Sequence, residues 1–280
     1  MSDYSRKIEC LQQAVQSAPE YRDIVPLFIE LYRYLEQSGG SYGVSVAAAA
    51  GDWSERTRAG FPLVAPGDLR VDIAVCSRFL AGAVRMLGRA GRGGTDELDR
   101  LEAAVLAGEL DLAGLFAAVL ERRRSVLDEA AAAIGVPSPL LEYVIEIPLK
   151  AALEGFARGV DPLAVADWKE AVCPVCGSRP GMAELTGEEG RRLLCCSACT
   201  FQWQFKRIQC PYCSNEDTGK LSYFTAGEGA TRIDVCSACS RYIKTRDSRK
   251  PHGDVPLDVE DLLSMHLDLL AAREGYERGK

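Results

Sequence analysis

The sequence predicts an α+β protein in which an N-terminal all-α helical domain is followed by two tandem cysteine-ligated ribbon modules and a C-terminal helix. Three observations carry that prediction. Apolar residues recur at three- and four-residue spacing up to about residue 168, the texture then changes to short alternating segments between paired cysteines, and helical periodicity returns near Leu257. The expected boundaries are 1–168 for the helical domain, 169–207 and 208–250 for the two ribbons, and 251–280 for the closing helix and tail.

Within the first part, Ile8, Leu11 and Val15 share one face of a first helix. A second helix carries Ile24, Phe28, Leu31 and Leu35 and stops near Ser38-Gly39-Gly40, where paired glycines end helices readily. Gly60, Pro62, Pro66 and Gly67 mark the stretch 51–68 as loop. Further helices are expected at about 69–90, 95–108 and 111–134, broken at Gly91-Arg92-Gly93-Gly94 and at Gly135-Val136-Pro137. Pro148 lies inside the apolar pattern from Leu140 to Phe156 and should kink or split that helix. Arg122-Arg123-Arg124 reads as the solvated face of a helix.

Past Trp168 the period shortens to two. Phe201, Trp203 and Phe205 alternate with Gln202, Gln204 and Lys206, as a half-buried strand requires. Residues 221–224 and 231–235 read as a hairpin turning through Gly227-Glu228-Gly229. In the last helix, from about 257 to 273, Leu262, Leu263, His266, Leu269 and Leu270 fall on or near one face.

Eight of the eleven cysteines form four Cys-x-x-Cys pairs: Cys173 with Cys176, Cys196 with Cys199, Cys210 with Cys213, and Cys236 with Cys239. The order Cys-Pro-x-Cys then Cys-Ser-Ala-Cys occurs twice, so a unit has been duplicated. Each unit supplies the four thiolates of a closed tetrahedral site for zinc or iron. The repeat favours sequential grouping: Cys173, Cys176, Cys196 and Cys199 on one ion, and Cys210, Cys213, Cys236 and Cys239 on the other. A cross-braced arrangement would join the first pair to the third and the second to the fourth. Nineteen residues separate Cys176 from Cys196, inside the roughly 15 to 20 usual for zinc sites of rubredoxin-like or zinc-ribbon type, and the twenty-two between Cys213 and Cys236 slightly exceed it, an excess a hairpin loop absorbs. Gly177 follows the first pair, whereas Thr200, Ser214 and Ser240 hold the same place after the others. The turns should therefore depend less on glycine than in a typical rubredoxin.

The other cysteines read differently. Cys10 and Cys76 lie in helical segments and suit buried small apolar roles, and Cys195 beside Cys196 reads as a spare strand residue facing away from the metal, the alternatives being substitution in the site or a reactive thiol. The two histidines have no acid-base partner at a telling spacing, so His252 reads as loop and His266 as a helix-face residue.

Composition narrows the function. No uninterrupted apolar run nears the roughly 18 residues of a membrane helix, so no membrane insertion is expected. The charged N-terminus lacks secretory organisation. A cytoplasmic, reducing location is the expectation, with thiols available as ligands. The chain carries a net charge of -7, while residues 169–250 hold thirteen Lys and Arg against nine Asp and Glu. Two divalent ions, each on four thiolates, would cancel that local excess of four. A near-neutral module leaves no electrostatic footprint for nucleic acid. No nucleophile elbow, phosphate loop or paired-carboxylate site occurs, and closed four-thiolate sites leave no coordination position for substrate, so no enzymatic activity is expected.

The stretch Trp168–Pro180 with Cys-Pro-Val-Cys-Gly-Ser-Arg-Pro, the Cys-Ser-Ala-Cys with Trp203 four residues on, Cys210-Pro-Tyr-Cys213, and Cys236-Ser-Ala-Cys239-Ser-Arg-Tyr-Ile-Lys resemble FdhE, the formate dehydrogenase accessory family. Asp258-Val259-Glu260-Asp261-Leu262-Leu263 and Glu274-Gly275-Tyr276 resemble that family's closing helix. The specific motifs lie within about residues 160–276. The resemblance implies a cytoplasmic maturation factor that contacts the catalytic subunit of a molybdenum- or tungsten-containing formate dehydrogenase. It also implies iron in rubredoxin-like sites at all eight paired cysteines, although zinc is physically plausible there. A homodimer is compatible with this reading. The competing readings are a rubredoxin-type electron carrier and a nucleic-acid-binding zinc ribbon.

Overall fold

The computed structural model describes residues 3–17, 21–47, 53–91, 95–227 and 229–279. They form two compact units, Met1–Ala49 with Val64–Phe156 and Ala50–Leu63 with Ala157–Lys280.

Helices dominate the first unit because its apolar residues repeat along one stripe per segment. Helices α1 (Asp3–Ser17) and α2 (Val25–Gln37) pack together, and α2 also packs on α4 (Ile73–Ala90), which lies against α5 (Thr95–Ala107). Ile8, Leu11, Leu31 and Leu35 are buried as their spacing implies, whereas Ile24 stands at the N-cap of α2 and is 40% exposed. Before α4 the backbone is strand rather than helix: Leu69–Val71 (β2) pairs antiparallel with Val44–Val46 (β1). Helix α4 begins only after Asp72, whose carboxylate accepts the Val75 N–H at 3.0 Å and caps the first turn.

The helix expected over 111–134 is two helices, α6 (Leu112–Glu121) and α7 (Arg124–Ala133). Arg122 adopts a left-handed conformation, φ 56°, and ends α6, so the triple-arginine run lies exposed at a break between helices, with Arg123 and Arg124 paired to Glu121 and Glu142. Helix α8 (Ser138–Ala157) runs through Pro148 without a split. Val144, Ile145, Ile147, Leu149 and Leu153 are all buried around the proline, and that packing outweighs the one backbone hydrogen bond it removes. Among the described residues no single helix is long and apolar enough to cross a membrane.

The second unit opens with a short helix, α3 (Trp53–Arg58), where a loop was expected. Thr57 Oγ1 donates to the Ala164 carbonyl at 3.2 Å, and the Leu63 N–H donates to the Pro174 carbonyl at 2.8 Å. Tertiary contacts thus hold as helix a segment whose glycines and prolines suggest coil.

Seven strands follow: β3 (Pro180–Thr186), β4 (Arg191–Cys196), β5 (Gln202–Phe205), β6 (Leu221–Phe224), β7 (Thr231–Cys236), β8 (Arg241–Asp247) and β9 (Glu277–Arg278). Each duplicated unit is a three-stranded antiparallel meander, β3-β4-β5 and then β6-β7-β8. The first strand of one meander pairs in parallel with the last strand of the other, Met182 opposite Lys244 and Leu185 opposite Asp247, to give the order β5-β4-β3-β8-β7-β6. The two ribbons are therefore one sheet. Strand β9 pairs in parallel with Arg241 and Tyr242 of β8.

Two helices cover one face of this sheet, α9 (Leu257–Leu263) and α10 (Met265–Arg273). Leu257 packs on Met182 and Cys195, and Leu267 and Ala271 pack on Ile233, Val235 and Tyr242. The buried stripe thus differs from the expected one, and Leu269 is 66% exposed. The expected single helix breaks at Ser264, whose hydroxyl donates back to the Glu260 carbonyl at 2.6 Å. The break lets Asp261 and Asp268 converge on Lys244, which is 1% exposed, at 2.7 and 2.8 Å. Arg278 of β9 closes the network on Asp261 at 2.6 Å.

At the join between the ribbons, Arg246 of β8 reaches Glu184 of β3 through Nε at 3.1 Å and Nη2 at 2.7 Å, and both residues are buried. Glu184→Ala should lower unfolding free energy by about 3 kcal/mol because it strands a desolvated guanidinium. A Glu184→Leu, Arg246→Met pair should recover most of that loss in urea denaturation. A single-variant loss below about 0.5 kcal/mol would remove this pair from any part in joining the ribbons.

Candidate metal centres

Cys173 and Cys176 occupy the turn before β3, while Cys196 ends β4 and Cys199 lies in the turn before β5. Cys210 and Cys213 precede β6, Cys236 ends β7, and Cys239 precedes β8. Because β3 and β8 run parallel, both sets lie at the same end of the sheet. The grouping is sequential: within each set of four, all sulfur atoms lie within 4.8 Å of one another. In the first set Cys173 is 3.5 Å from Cys199, and Cys176 is 3.4 Å from Cys196 and 3.6 Å from Cys199. In the second, Cys210 and Cys239 are 3.8 Å apart and Cys213 and Cys236 are 3.7 Å apart. Four sulfurs placed about 2.3 Å from a common ion at tetrahedral angles stand about 3.8 Å apart. A disulfide would need about 2.05 Å. The donor sets therefore fit a tetrahedral zinc or iron ion in both chemistry and spacing.

The turns explain how short peptides achieve this. Gly177 N–H donates to the Cys173 carbonyl at 2.9 Å, and Ser214 N–H repeats the bond to Cys210 at 3.0 Å. Cys173 N–H donates to the Ser178 carbonyl at 2.8 Å, and Cys210 N–H to the Asn215 carbonyl at 2.9 Å. Inside the loops the amides of Val175, Ala198 and Tyr212 point at Cys173, Cys196 and Cys210 sulfur, 3.3 to 3.4 Å away. Each turn closes through one left-handed residue directly after its second cysteine: Gly177 at φ 73°, Thr200 at 57°, Ser214 at 60° and Ser240 at 54°. The sequence suggested that three of these turns need glycine less. They need the left-handed conformation equally, and the side chains tolerate it at a cost of about 1–2 kcal/mol each.

The two centres differ in exposure. All four sulfur ligands of the first set belong to buried residues, whereas Cys213 is exposed and Cys239 half-buried in the second. Burial pushes the Cys173 and Cys199 thiols well above the usual range. Hydrogen bonds from Cys173, Cys196 and Cys199 hold Cys176 well below it. At the second centre burial raises Cys210 and Cys239. Burial also acts upward on Cys213, but the Asn215 N–H and the neighbouring thiols outweigh it and bring that thiol down.

The remaining candidates lie apart from the centres. Cys195 faces the α9 side with Met182 and Leu257, its thiol 3.5 Å from the Thr200 carbonyl. Cys76 is buried in α4, and burial pushes its thiol up to about 12. Cys10 is half-buried in α1. His252 is an exposed loop residue within 3.0 Å of the Lys250 carbonyl, and His266 is exposed on α10. Sequence reasoning did not find the supports of the centres. Pro62 packs within reach of Gly177, where a Cβ would meet its Cγ at 3.1 Å, and the Tyr212 hydroxyl donates to the Pro180 carbonyl at 3.3 Å. Gly279 lies against the Tyr212 ring so closely that a Cβ there would stand 2.1 Å from it. Only fold-level contacts reveal these, because no local pattern links residue 62 or 279 to a cysteine turn.

Residues 172–207 match the model of the FdhE central domain. The chain is 35% identical over 146 residues to a protein FdhE homolog of Aquifex aeolicus (strain VF5), covering 51% of each. It is 32% identical over 155 residues to one of Pseudomonas aeruginosa, covering 51% of this chain and 48% of that one. The alignments thus span about half the length of the curated relatives. The crystal structure of the FdhE protein from Pseudomonas aeruginosa has the same fold, with a TM-score of 0.67 at 23% identity, over 98% of this chain and 93% of that one.

Two outcomes are expected at the centres. Thr200→Gly should stabilise the metal-loaded protein by about 1 kcal/mol, measured by thermal denaturation, since it relieves a β-branched residue at positive φ. Metal release to a chelator should be biphasic. Cys213→Ser should abolish the fast phase and Cys176→Ser the slow one, and a single phase in the unsubstituted protein would contradict the difference in exposure.

Proposed function

We propose that this chain, which is similar to FdhE proteins in its cysteine region and in its fold, is an accessory factor in formate dehydrogenase maturation that docks the enzyme's molybdenum- or tungsten-containing catalytic subunit. The observation that carries this reading is the pair of four-thiolate centres set at one end of a single sheet. The eight cysteines hold two metal ions, and all four ligand positions of each ion are taken by protein. An ion in such a site organises structure or exchanges electrons; it has no vacancy for substrate. The chain itself thus recognises a partner and is not the dehydrogenase. Its cysteine chemistry suits a reducing cytoplasm, and its near-neutral ribbon region does not favour nucleic acid.

One observation favours a second role for the same factor. Cys213 is exposed, so an iron ion in the second centre would sit close enough to the surface for electron exchange with a docked protein. Visible spectra of anaerobically purified, then oxidised protein separate the roles: ferric thiolate charge-transfer bands support electron exchange, and a colourless zinc-loaded protein leaves docking alone.

The docking reading is tested by affinity purification from cells that make the dehydrogenase. The tagged chain should retain the catalytic subunit in its cofactor-free form, and Cys173→Ser, which disrupts the buried centre, should reduce recovery about tenfold. Repeated recovery of no catalytic subunit would defeat the proposal.

A further inference from the structure

A second feature of the sheet unit has no part in the metal centres as such. On the sheet face opposite α10, the chain leaving β5 crosses over the second meander on its way to Cys210. Between this crossover and strands β6 to β8 lies a cavity of about 250 Å³. Its walls include Arg192, Arg207, Arg232 and Arg241 with Ile208 and Tyr223, and Asp234 is the one carboxylate among the lining residues.

Arg192 is the informative residue. It is 5% exposed, its Nη1 donates to the Gln209 carbonyl at 2.8 Å, and its Nε has no hydrogen-bond partner. No carboxylate among the described residues forms an ion pair with it. Burial pushes its guanidinium below the usual arginine range. Asp234 favours the Arg192 charge through space but makes no hydrogen bond to it; the Asp234 oxygens accept from Arg232 Nε at 2.7 Å and from Thr245 Oγ1 at 2.8 Å. A guanidinium kept from water with a donor unused is unfavourable, and an anion placed against it would complete it.

The surroundings say what kind of anion. Arg232 stacks on the Tyr223 ring, 4.1 Å from its centre, and Tyr223 and Ile208 remain 60% and 55% exposed. An aromatic and an aliphatic surface thus flank a cluster of guanidinium forks, which match the planar edges of carboxylate and phosphate. Charge permits entry even beside the second metal centre, whose Cys210 and Cys236 also line the cavity. Four guanidinium charges exceed Asp234 and the two negative charges of a loaded centre by one.

We propose that this cavity binds a small organic oxyanion, a carboxylate or phosphate group carried on an aromatic or apolar body, with the head group on Arg192 and the body against Tyr223 and Ile208. The site is independent of the maturation role, and its test needs no partner protein. The metal-loaded full chain is titrated calorimetrically with phenyl phosphate, benzoate and inorganic phosphate, and metal content is measured on the same samples. Phenyl phosphate or benzoate should bind at one site, about tenfold more tightly than inorganic phosphate, and the tighter of the two identifies the head group. Arg192→Met should weaken that ligand at least about tenfold with metal content unchanged, as expected for a lost charged hydrogen bond. Tyr223→Ala lies on the exposed strand β6 and should fold even if Arg192→Met does not; it should shrink the advantage of the aromatic ligand over inorganic phosphate. The proposal is overturned if none of the three probes binds saturably up to about 10 mM, or if Tyr223→Ala leaves that advantage intact. Loss of the second metal ion in Arg192→Met, with organic anions still bound, would likewise overturn it by assigning Arg192 to the metal centre.

Discussion

The parallel pairing of β3 with β8 is the constraint on which the sheet unit depends. Three short antiparallel strands have little surface to bury, and each meander alone would be marginal without its metal ion. Joined head to tail, they present one continuous face to α9 and α10, and residues of both meanders lie under those helices: Met182 and Cys195 from the first, Ile233, Val235 and Tyr242 from the second. Parallel pairing is the weaker kind per residue. Here side chains support it, since Glu184 receives Arg246 from the neighbouring strand and the Ser248 hydroxyl at 2.5 Å. The same direction of pairing puts the four cysteine turns at one end of the sheet.

What was legible in the sequence was local. The duplicated Cys-x-x-Cys order anticipated the sequential grouping of sulfurs because each group is closed by its own hairpin. Trp203 and Phe205 are buried and Gln202 and Gln204 exposed, as alternation requires, because a strand has only two faces. What was not legible depends on contacts distant in sequence. The β3–β8 join links residues about sixty positions apart, and nothing in the periodicity of either strand names its partner. The break at Ser264 follows from Asp261 and Asp268 both reaching Lys244, so the helix there yields to a buried charge on another element. Arg122 ends a helix in a left-handed conformation that ordinarily signals glycine, and for that reason the pattern runs through it unmarked.

The cysteine turns show how little their local geometry depends on residue type. Glycine is the residue expected at positive φ, yet Thr200, Ser214 and Ser240 adopt the conformation of Gly177 within about twenty degrees of φ. Backbone hydrogen bonds across the turns, such as Gly177 and Ser214 N–H to the Cys173 and Cys210 carbonyls and Cys196 N–H to the Phe201 carbonyl, impose it, together with the need to bring two sulfurs toward one point. The positions that resist intrinsic preference are those next to the candidate ligands, where strain is commonly held in place by the surrounding structure.

Duplication nevertheless produced unequal centres, and the cause lies outside the duplicated residues. The segment that precedes Val64 belongs to the sheet unit: Leu63 bonds to Pro174 within the first turn, Leu63 itself is 1% exposed, and Pro62 packs on Gly177. The first centre is thereby sealed. At the second, Tyr212 is held between Pro180 and Gly279, but Cys213 on the other side of the turn remains exposed. A sealed four-thiolate site would exchange an ion slowly, because its sulfur ligands are kept from solvent. An ion at the open centre would lie nearer solvent than one at the sealed centre.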